Sequence, residues 1–159
     1  MTERVTPSAH PALTRRHVMA GGAGAAAAVL LAPRAEAGPE EMRAAVAELF
    51  GDRPITEGRV ALDIPPIAEN GYSVPLDIKV DSPMTEADHV TRIAVFSPRN
   101  PLPNMARFEL GPRAGRAHVA TRLRLGGSQS VLVVAEMSDG ALWSGSAETV
   151  VTLAACVVL

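Results

Sequence analysis

The chain has one cysteine, Cys156, which lies three residues before the last residue of the sequence. A thiolate is a nucleophile. Because chain ends are usually loosely held, a thiol here could travel and act as a carrier. The final strand is predicted to end at Leu153. Three further extended residues of roughly 3.3–3.6 Å each would place the thiol about 10 Å from the domain.

The same tail also fits a structural role for the cysteine. Residues 150–159 are almost all Val, Leu, Ala and Thr. Such a run can form a buried strand in which Cys156 is a small hydrophobic residue. The composition of the tail leaves both interpretations open. The alternative to a carrier is therefore an exported interaction module with a buried cysteine.

Copper and hydrolytic chemistry fit the remaining residues poorly. A blue-copper site takes two histidines and a cysteine, and only His89 and His118 follow residue 37. A cysteine hydrolase needs a histidine held beside its nucleophile, and a mobile terminal cysteine is a poor platform for one. Asp81, Glu136 and Asp139 fall at predicted strand ends and turns, which indicates solvated or capping roles. We therefore predict no catalytic residue, no metal site and no cofactor.

The first 37 residues read as an export signal. Arg15 and Arg16 precede an apolar run over residues 18–32, and Ala35–Ala37 offers a small-residue cleavage site. Paired arginines are typical of the twin-arginine route, which exports folded proteins. The apolar run is shorter than the roughly 20 residues of a spanning helix. We predict a twin-arginine signal peptide at 1–37, a periplasmic protein and no membrane attachment after cleavage.

The charge of the remaining chain excludes some partners. Four of the 15 basic and two of the 17 acidic residues fall in 1–37, which leaves a formal net charge of −4 for residues 38–159. A mildly acidic domain without basic runs gives no footprint for nucleic acid. Disulfides form in an oxidising compartment, but a single cysteine has no partner within its own chain. We therefore expect Cys156 to be buried, to form a disulfide with another molecule or to have a chemical function.

Hydrophobic periodicity predicts one short helix and then strands. Met42, Val46, Leu49 and Phe50 recur at helical spacing between Gly38 and Asp52, so residues 38–58 are predicted to form an amphipathic helix and a linker. This helix could dock on the domain or on a partner. From residue 59 the period becomes two, and the predicted strands are 60–64, 74–80, 90–96, 119–125, 131–137, 142–144 and 150–153.

These short strands predict an all-β antiparallel sandwich over residues 59–153, followed by an arm at 154–159 that carries Cys156. Asp139–Gly140 and Asn70–Gly71 are predicted hairpin turns. Arg122 and Arg124 alternate with leucines and should face away from the core. They could be a solvated face, a partner contact or a basic patch that attracts an anionic adduct.

Six sequence blocks resemble the SoxY family, the sulfur-carrier subunits of the periplasmic thiosulfate-oxidising system. The resemblance runs from about Pro39 to Cys156 and includes the twin-arginine leader. The matching blocks are Ala68–Gly71, Val80–Met84, Asn100–Pro101 with Pro103, Thr121–Leu125, Gln129 and Ala135–Gly140.

This resemblance implies an immunoglobulin-like sandwich with a C-terminal cysteine arm and no enzymatic activity of its own. It implies that a c-type cytochrome enzyme joins Cys156 to thiosulfate. A hydrolase would then release sulfate, and a sulfane dehydrogenase or repeated hydrolysis would process the remaining sulfur. It also implies a heterodimer with a SoxZ-like subunit.

The arm itself differs from the family pattern. The family arm usually reads Gly-Gly-Cys-Gly-Gly, whereas Ala154–Ala155 precede Cys156 here and Val157–Leu159 follow it. Valine is stiff and bulky where glycine bends freely. The resemblance therefore predicts a carrier whose arm is less free than usual.

Overall fold

A computed structural model describes residues 38–155. Within them, one α-helix, nine strands and a 3₁₀ turn build two packed sheets. The predicted signal peptide at 1–37 and the arm residues 156–159, including Cys156, lie outside the described residues. The elements are α1 (Pro39–Phe50), β1 (Ile55–Glu57), β2 (Val60–Asp63), β3 (Ile67–Ala68), β4 (Val74–Val80), β5 (Val90–Phe96), β6 (Asn104–Glu109), a 3₁₀ turn (Pro112–Ala114), β7 (His118–Leu123), β8 (Gln129–Met137) and β9 (Leu142–Val151).

The larger sheet has the order β1-β9-β8-β5-β6, with β3 also paired to β9, and the smaller sheet has the order β2-β4-β7. All pairs are antiparallel except β1 with β9 and β3 with β9, which are parallel. The predicted sandwich is therefore correct as a two-sheet β architecture, and the prediction that it is wholly antiparallel is wrong. The immunoglobulin-like classification stays a prediction.

The core lies between the two sheets. On β4, Leu76 and Ile78 point inward and are buried, while Pro75 and Lys79 alternate outward. They meet side chains of β5 and β8 such as Ile93, Val95, Val131 and Val133, all with no exposed surface. This alternation buries one face of the small sheet and leaves its outer face in solvent.

The helix covers the outer face of the larger sheet. Phe50 is buried and contacts Phe96 edge to face at 6.3 Å between ring centroids. Ala94 and Val134 are buried on the same face. The apolar stripe of α1 therefore docks on its own domain, which settles the open choice between the domain and a partner. The helix ends at Phe50, because Gly51 has a positive φ and its N–H closes the last turn on Ala47.

The strand predictions succeed where sequence alternation is clear. β4 and β5 have the predicted bounds, and Asp139–Gly140 forms the predicted hairpin between β8 and β9. The predicted strands 142–144 and 150–153 are one continuous strand, β9. The Asn70–Gly71 hairpin is wrong, because β3 and β4, which flank it, belong to different sheets. β1, β3 and β6 were not predicted.

Candidate functional site: the root of the C-terminal arm

The structure fixes the point from which the Cys156 segment leaves the domain. Val151 ends β9, and the next four residues, Thr152–Ala155, form what we call the arm root. Leu153 is 58% exposed, whereas Ala154 and Ala155 are half-buried. Consecutive Cα atoms are about 3.8 Å apart across a trans peptide, so the position of Ala155 limits where the Cα atom of Cys156 can lie.

The arm root is held by backbone hydrogen bonds. The N–H of Thr152 donates to the carbonyl of Ala68 (3.1 Å), and the carbonyl of Leu153 accepts the N–H of Gly71 (2.8 Å). The N–H of Ala155 donates to the carbonyl of Leu125 (3.0 Å). The sequence-based reach of about 10 Å assumed a chain free from Leu153 onward, and that assumption is wrong. Backbone hydrogen bonds hold the chain as far as Ala155, the last described residue.

Gly71 is the centre of this arrangement. Its carbonyl accepts the N–H of Leu125 (2.9 Å), so Gly71 binds both Leu125 and Leu153. A Cβ on Gly71 would lie 2.6 Å from the carbonyl oxygen of Leu125 and 3.0 Å from that of Leu153. Those oxygens belong to the backbone and cannot rotate away. Only glycine therefore lets the two segments approach closely enough to hold the arm root.

A buried polar cluster supports the loop that contains Leu125. Asn100 is 7% exposed; its amide nitrogen donates to the carbonyl of Arg124 (2.7 Å), and its amide oxygen accepts the N–H of Gly126 (2.9 Å). The fully buried hydroxyl of Ser97 donates to the side-chain oxygen of Gln129, which is also buried. These bonds satisfy polar groups inside the domain and fix the backbone on both sides of Leu125.

β9 is also held just before the arm root. The hydroxyl oxygen of Ser128 accepts the N–H of Val151 (2.9 Å). Thr149, which is 2% exposed, donates its hydroxyl to the carbonyl of Pro65 (2.7 Å). The last residues of β9 are thus bound on one side by the 126–129 loop and on the other by the chain around β3.

The other residues considered from sequence do not meet in one site. His89 precedes β5, and its ring contacts the carbonyl of Thr85, whereas His118 starts β7 and contacts Asp77 at 2.6 Å. Within residues 38–155, no three His, Cys, Asp or Glu residues are grouped as metal ligands would be. The hydrogen bond from His118 lowers the pKa of Asp77 below its ordinary value.

The three carboxylates considered from sequence have separate roles. Glu136 binds Arg53 (2.7 Å) and Arg92 (3.2 Å), and Asp139 accepts the N–H of Ala141 in the β8–β9 turn. The backbone N–H of Asp81 donates to the carbonyl of Arg59. Glu136 and Asp139 therefore serve ion pairing and turn formation. Arg122 and Arg124 are both exposed, which confirms that they face away from the core.

Comparison with known proteins identifies the family. The family model "Sulfur oxidation protein SoxY" matches residues 46–156, so the match extends from the helix to Cys156. The chain belongs to the SoxY family.

One solved SoxY structure is similar over nearly its whole length. The sulfur carrier protein SoxY from Chlorobium limicola f thiosulfatophilum is 31% identical, with a TM-score of 0.61, and the match covers 72% of this chain and 98% of that one. No curated protein sequence matches the chain. The SoxY relationship therefore rests on the family model and on this structure.

The fold also occurs in a different group of proteins. A superoxide reductase (neelaredoxin) from Ignicoccus hospitalis is 18% identical, with a TM-score of 0.53, and the match covers 59% of this chain and 80% of that one. A putative superoxide reductase from Thermotoga maritima is 20% identical, with a TM-score of 0.50; here 60% and 86% are covered. At these identities the likeness shows a shared fold alone.

Sequence reasoning missed the residues that hold the arm root. The sequence predicts a hairpin turn at Asn70–Gly71 and places Leu125 on the apolar face of a strand. Asn100 and Gln129 stood out only through the SoxY resemblance. A buried amide that bonds to backbone leaves no periodic signal, so only the three-dimensional arrangement reveals it.

Among the described residues, none of the helices is long and apolar enough to span a membrane.

Proposed function

We propose that this member of the SoxY family carries sulfur intermediates covalently on Cys156 and presents them to partner enzymes. The observation that carries the proposal is the family match, which extends through the only cysteine of the chain. The geometry supports it, because the arm root ends at the half-buried Ala155, whose N–H binds the carbonyl of Leu125. Cys156 directly follows a well-anchored point, and this suits presentation of a thiol from a rigid base.

The loading step forms a sulfur–sulfur bond. The Cys156 thiolate and the outer sulfur of thiosulfate together lose two electrons and give the S-thiosulfonate, Cys–S–S–SO₃⁻. The electrons pass to an external acceptor, for which we propose a c-type cytochrome enzyme that acts on the carrier. The chain supplies the nucleophilic thiolate and needs no cofactor of its own for this role.

The unloading step releases sulfate. Water attacks the terminal sulfone sulfur, the bond between it and the sulfane sulfur breaks, and the products are sulfate, two protons and Cys–S–S⁻. We propose that a separate hydrolase performs this step and that a sulfane dehydrogenase or repeated hydrolysis processes the remaining sulfur. In this scheme the carrier catalyses nothing.

We propose that the protein is exported to the periplasm by the twin-arginine route and forms a heterodimer there with a SoxZ-like subunit. Export of a folded complex explains why a domain with no cofactor would use a route for folded proteins. The apolar residues Val157–Leu159 make the arm stiffer than the glycine-rich family arm. We therefore expect partner enzymes to receive Cys156 near the arm root rather than deep in a narrow channel.

Native thiol reactivity tests the proposal. Iodoacetamide should alkylate Cys156 in the folded protein at a rate within about tenfold of that in the urea-unfolded protein, because a carrier thiol must be accessible. The chain has no other cysteine, so the mass shift reports Cys156 alone. Protection of the thiol until unfolding, both alone and with bound partner, would contradict the carrier and favour the interaction module with a buried cysteine.

A further inference from the structure

Three exposed arginines lie on the segments that hold the arm root. They are Arg99, in the loop between β5 and β6, Arg122, in β7, and Arg124, just after β7. We call them the arginine rim. Arg99 comes from one segment of the chain, and Arg122 and Arg124 come from another. Hydrogen bonds lead from these segments to Val151 or to the arm root.

Arg99 is fixed beside the end of β9. Its guanidinium donates to the carbonyl of Ser128 (3.3 Å), and the hydroxyl of Ser128 accepts the N–H of Val151. The guanidinium also lies beside Gly127, which has a positive φ of 152°. Arg99 is therefore linked through Ser128 to the last residue of β9.

Arg122 is fixed beside the loop that binds Leu153. Its guanidinium donates to the carbonyl and the hydroxyl of Ser73 (3.4 Å each). Gly71, two residues earlier, donates its N–H to the carbonyl of Leu153. Arg122 is thus tied to the segment that clamps the middle of the arm root.

Arg124 precedes the residue that receives the last described hydrogen bond. Leu125 accepts the N–H of Ala155, and Asn100 holds the carbonyl of Arg124 itself. Arg122 and Arg124 also line one open cavity of about 410 Å³, together with Asn100 and Leu102. The cavity offers space for a small anion beside Arg122 and Arg124, on the segment whose next residue, Leu125, binds Ala155.

The arginine rim has no carboxylate partner within residues 38–155. Arg43, Arg53, Arg92 and Arg107 each lie within 4.0 Å of a glutamate, whereas Arg59, Arg113 and Arg116, like the arginine rim, form no ion pair among the described residues. Arg99 and Arg122 make hydrogen bonds only to neutral oxygens. Arg122 also lines an open cavity with Asp63 and Asp77 but forms no ion pair with either, so the rim can still attract an anion.

We propose that the arginine rim binds the anionic end of the sulfur adduct on Cys156 and so gives the thiol a preference for anionic sulfur compounds. This inference rests on the proposed carrier function. Guanidinium groups pair bidentately with planar or tetrahedral oxyanions, and a sulfonate offers three such oxygens. Each sulfur–sulfur bond of the adduct adds only about 2.05 Å, so a thiosulfonate stays near the arm root from which it extends.

Paired reagents of different charge test the proposal on the folded protein. Iodoacetate and iodoacetamide both alkylate a thiolate with loss of iodide, but only iodoacetate is an anion. The ratio of their rate constants at Cys156 therefore cancels changes in thiol pKa or exposure. In Arg122→Gln/Arg124→Gln the ratio of iodoacetate to iodoacetamide should fall about three- to tenfold at low salt.

A second double variant serves as the charge-matched control. Arg113 and Arg116 are exposed and lie at the opposite end of β7, next to the 3₁₀ turn. Arg113→Gln/Arg116→Gln removes the same net charge but should change the ratio by less than about 1.5-fold, because salt screens distant charges. In the unsubstituted protein, 0.5 M salt should reduce the ratio toward that of the arginine-rim variant.

The outcomes separate the two proposals. An unchanged ratio in Arg122→Gln/Arg124→Gln, with Cys156 still reactive toward iodoacetamide, would overturn the arginine-rim inference and leave the carrier function standing. An equal fall in both double variants would also overturn it, because the effect would then be one of net charge. A thiol that reacts with neither reagent before unfolding would overturn both proposals.

Discussion

The arginines at the two ends of strand β8 differ in whether they form ion pairs. At its C-terminal end, Glu136 binds both Arg53 and Arg92, and the glutamate side chain is only 16% exposed. At its N-terminal end, Gln129 is neutral and buried, and Arg99 beside it contacts no carboxylate among the described residues. At the C-terminal end, ion pairs join different parts of the fold. At the N-terminal end, the arginine is exposed and forms no ion pair among the described residues.

This difference separates residues that hold the domain from residues that serve the arm. Arg53 follows the helix and Arg92 lies in β5, so their shared glutamate joins the helical connection to the sheet. The arm end is held instead by neutral groups, namely backbone hydrogen bonds and the amide of Asn100. The arginines near the arm end form no ion pair among the described residues, and Arg99 and Arg122 donate only to neutral oxygens.

The largest effect is expected at Gly71. In Gly71→Ala the new Cβ would lie 2.6 Å from the Leu125 carbonyl oxygen, so the loop or the arm root must move. We expect a loss of roughly 2–3 kcal/mol in the free energy of unfolding, measured by urea denaturation. Hydrogen exchange should show an unprotected Ala155 amide, since its acceptor is displaced.

Gly111→Ala is the matched control for this change. Gly111 has an extended backbone, and a Cβ there would meet nothing within 4 Å. Its stability should equal or slightly exceed that of the unsubstituted protein. Similar losses in both variants would mean that the arm root does not depend on close approach at Gly71.

A smaller loss is expected at Asn100. Asn100→Ala leaves the carbonyl of Arg124 and the N–H of Gly126 without their partner, and an unsatisfied buried group is costly. We predict roughly 1–2 kcal/mol of lost unfolding free energy in urea denaturation. Asn104→Ala, on the exposed start of edge strand β6, should change it by less than about 0.5 kcal/mol. Equal effects at the two positions would contradict the role of the buried amide.

Charge removal should distinguish the two ends of β8 directly. Glu136→Gln weakens two ion pairs in a mostly buried position, and we expect a loss of about 1 kcal/mol. Arg122→Gln/Arg124→Gln should leave thermal stability unchanged within about 0.5 kcal/mol, because it removes no ion pair. A larger loss in the arginine variant than in Glu136→Gln would reverse the comparison.

The smallest effect on stability is expected for the Asp77–His118 pair, which lies on the outer face of the small sheet, away from both ends of β8. His118 donates to Asp77 and lowers its pKa below the ordinary value of 3.8. A lowered pKa stabilises the fold above pH 3.8, and this contribution is lost as the pH falls through the pKa of the folded state. Asp77→Asn should therefore be less stable than the unsubstituted protein at pH 6, with the difference narrowing below pH 4. A difference that stays constant from pH 6 to pH 2.5 would contradict this.

The sequence predicted the sandwich well where one face of a strand is buried. β4 and β5 alternate or run apolar between proline-containing boundaries, and their bounds were correct. β6 has a weakly alternating sequence on a sheet edge, and β1 is exposed throughout, so neither gives a periodic signal. Their positions depend on partners that are distant in the chain.

β9 was divided in two for a physical reason. Gly145 interrupts the apolar pattern, and a Cβ there would lie 2.3 Å from the carbonyl oxygen of Val60. The glycine is required because β2 of the other sheet crosses close to β9 at this point. A sequence shows a glycine here but not the strand that requires it.

The sequence predicts which residues of the candidate site could carry its chemistry, but not the hydrogen bonds that anchor the arm root. The position of Cys156 and the exposure of Arg122 and Arg124 could be derived from composition and alternation. The anchoring of Ala155 on Leu125 could not, because it joins residues 30 positions apart through backbone atoms alone. Backbone hydrogen bonds of this kind leave no residue-type signature.

The most direct test of the carrier proposal is the intact mass of the protein from the periplasm of thiosulfate-grown cells, measured before and after mild reduction. The account predicts a reducible mass increase that maps to Cys156 and matches a thiosulfonate or a longer sulfane chain. Cys156→Ser should lack the adduct while its circular dichroism spectrum stays unchanged. An unmodified thiol in the protein recovered with its partners, or an adduct that persists in Cys156→Ser, would contradict the account.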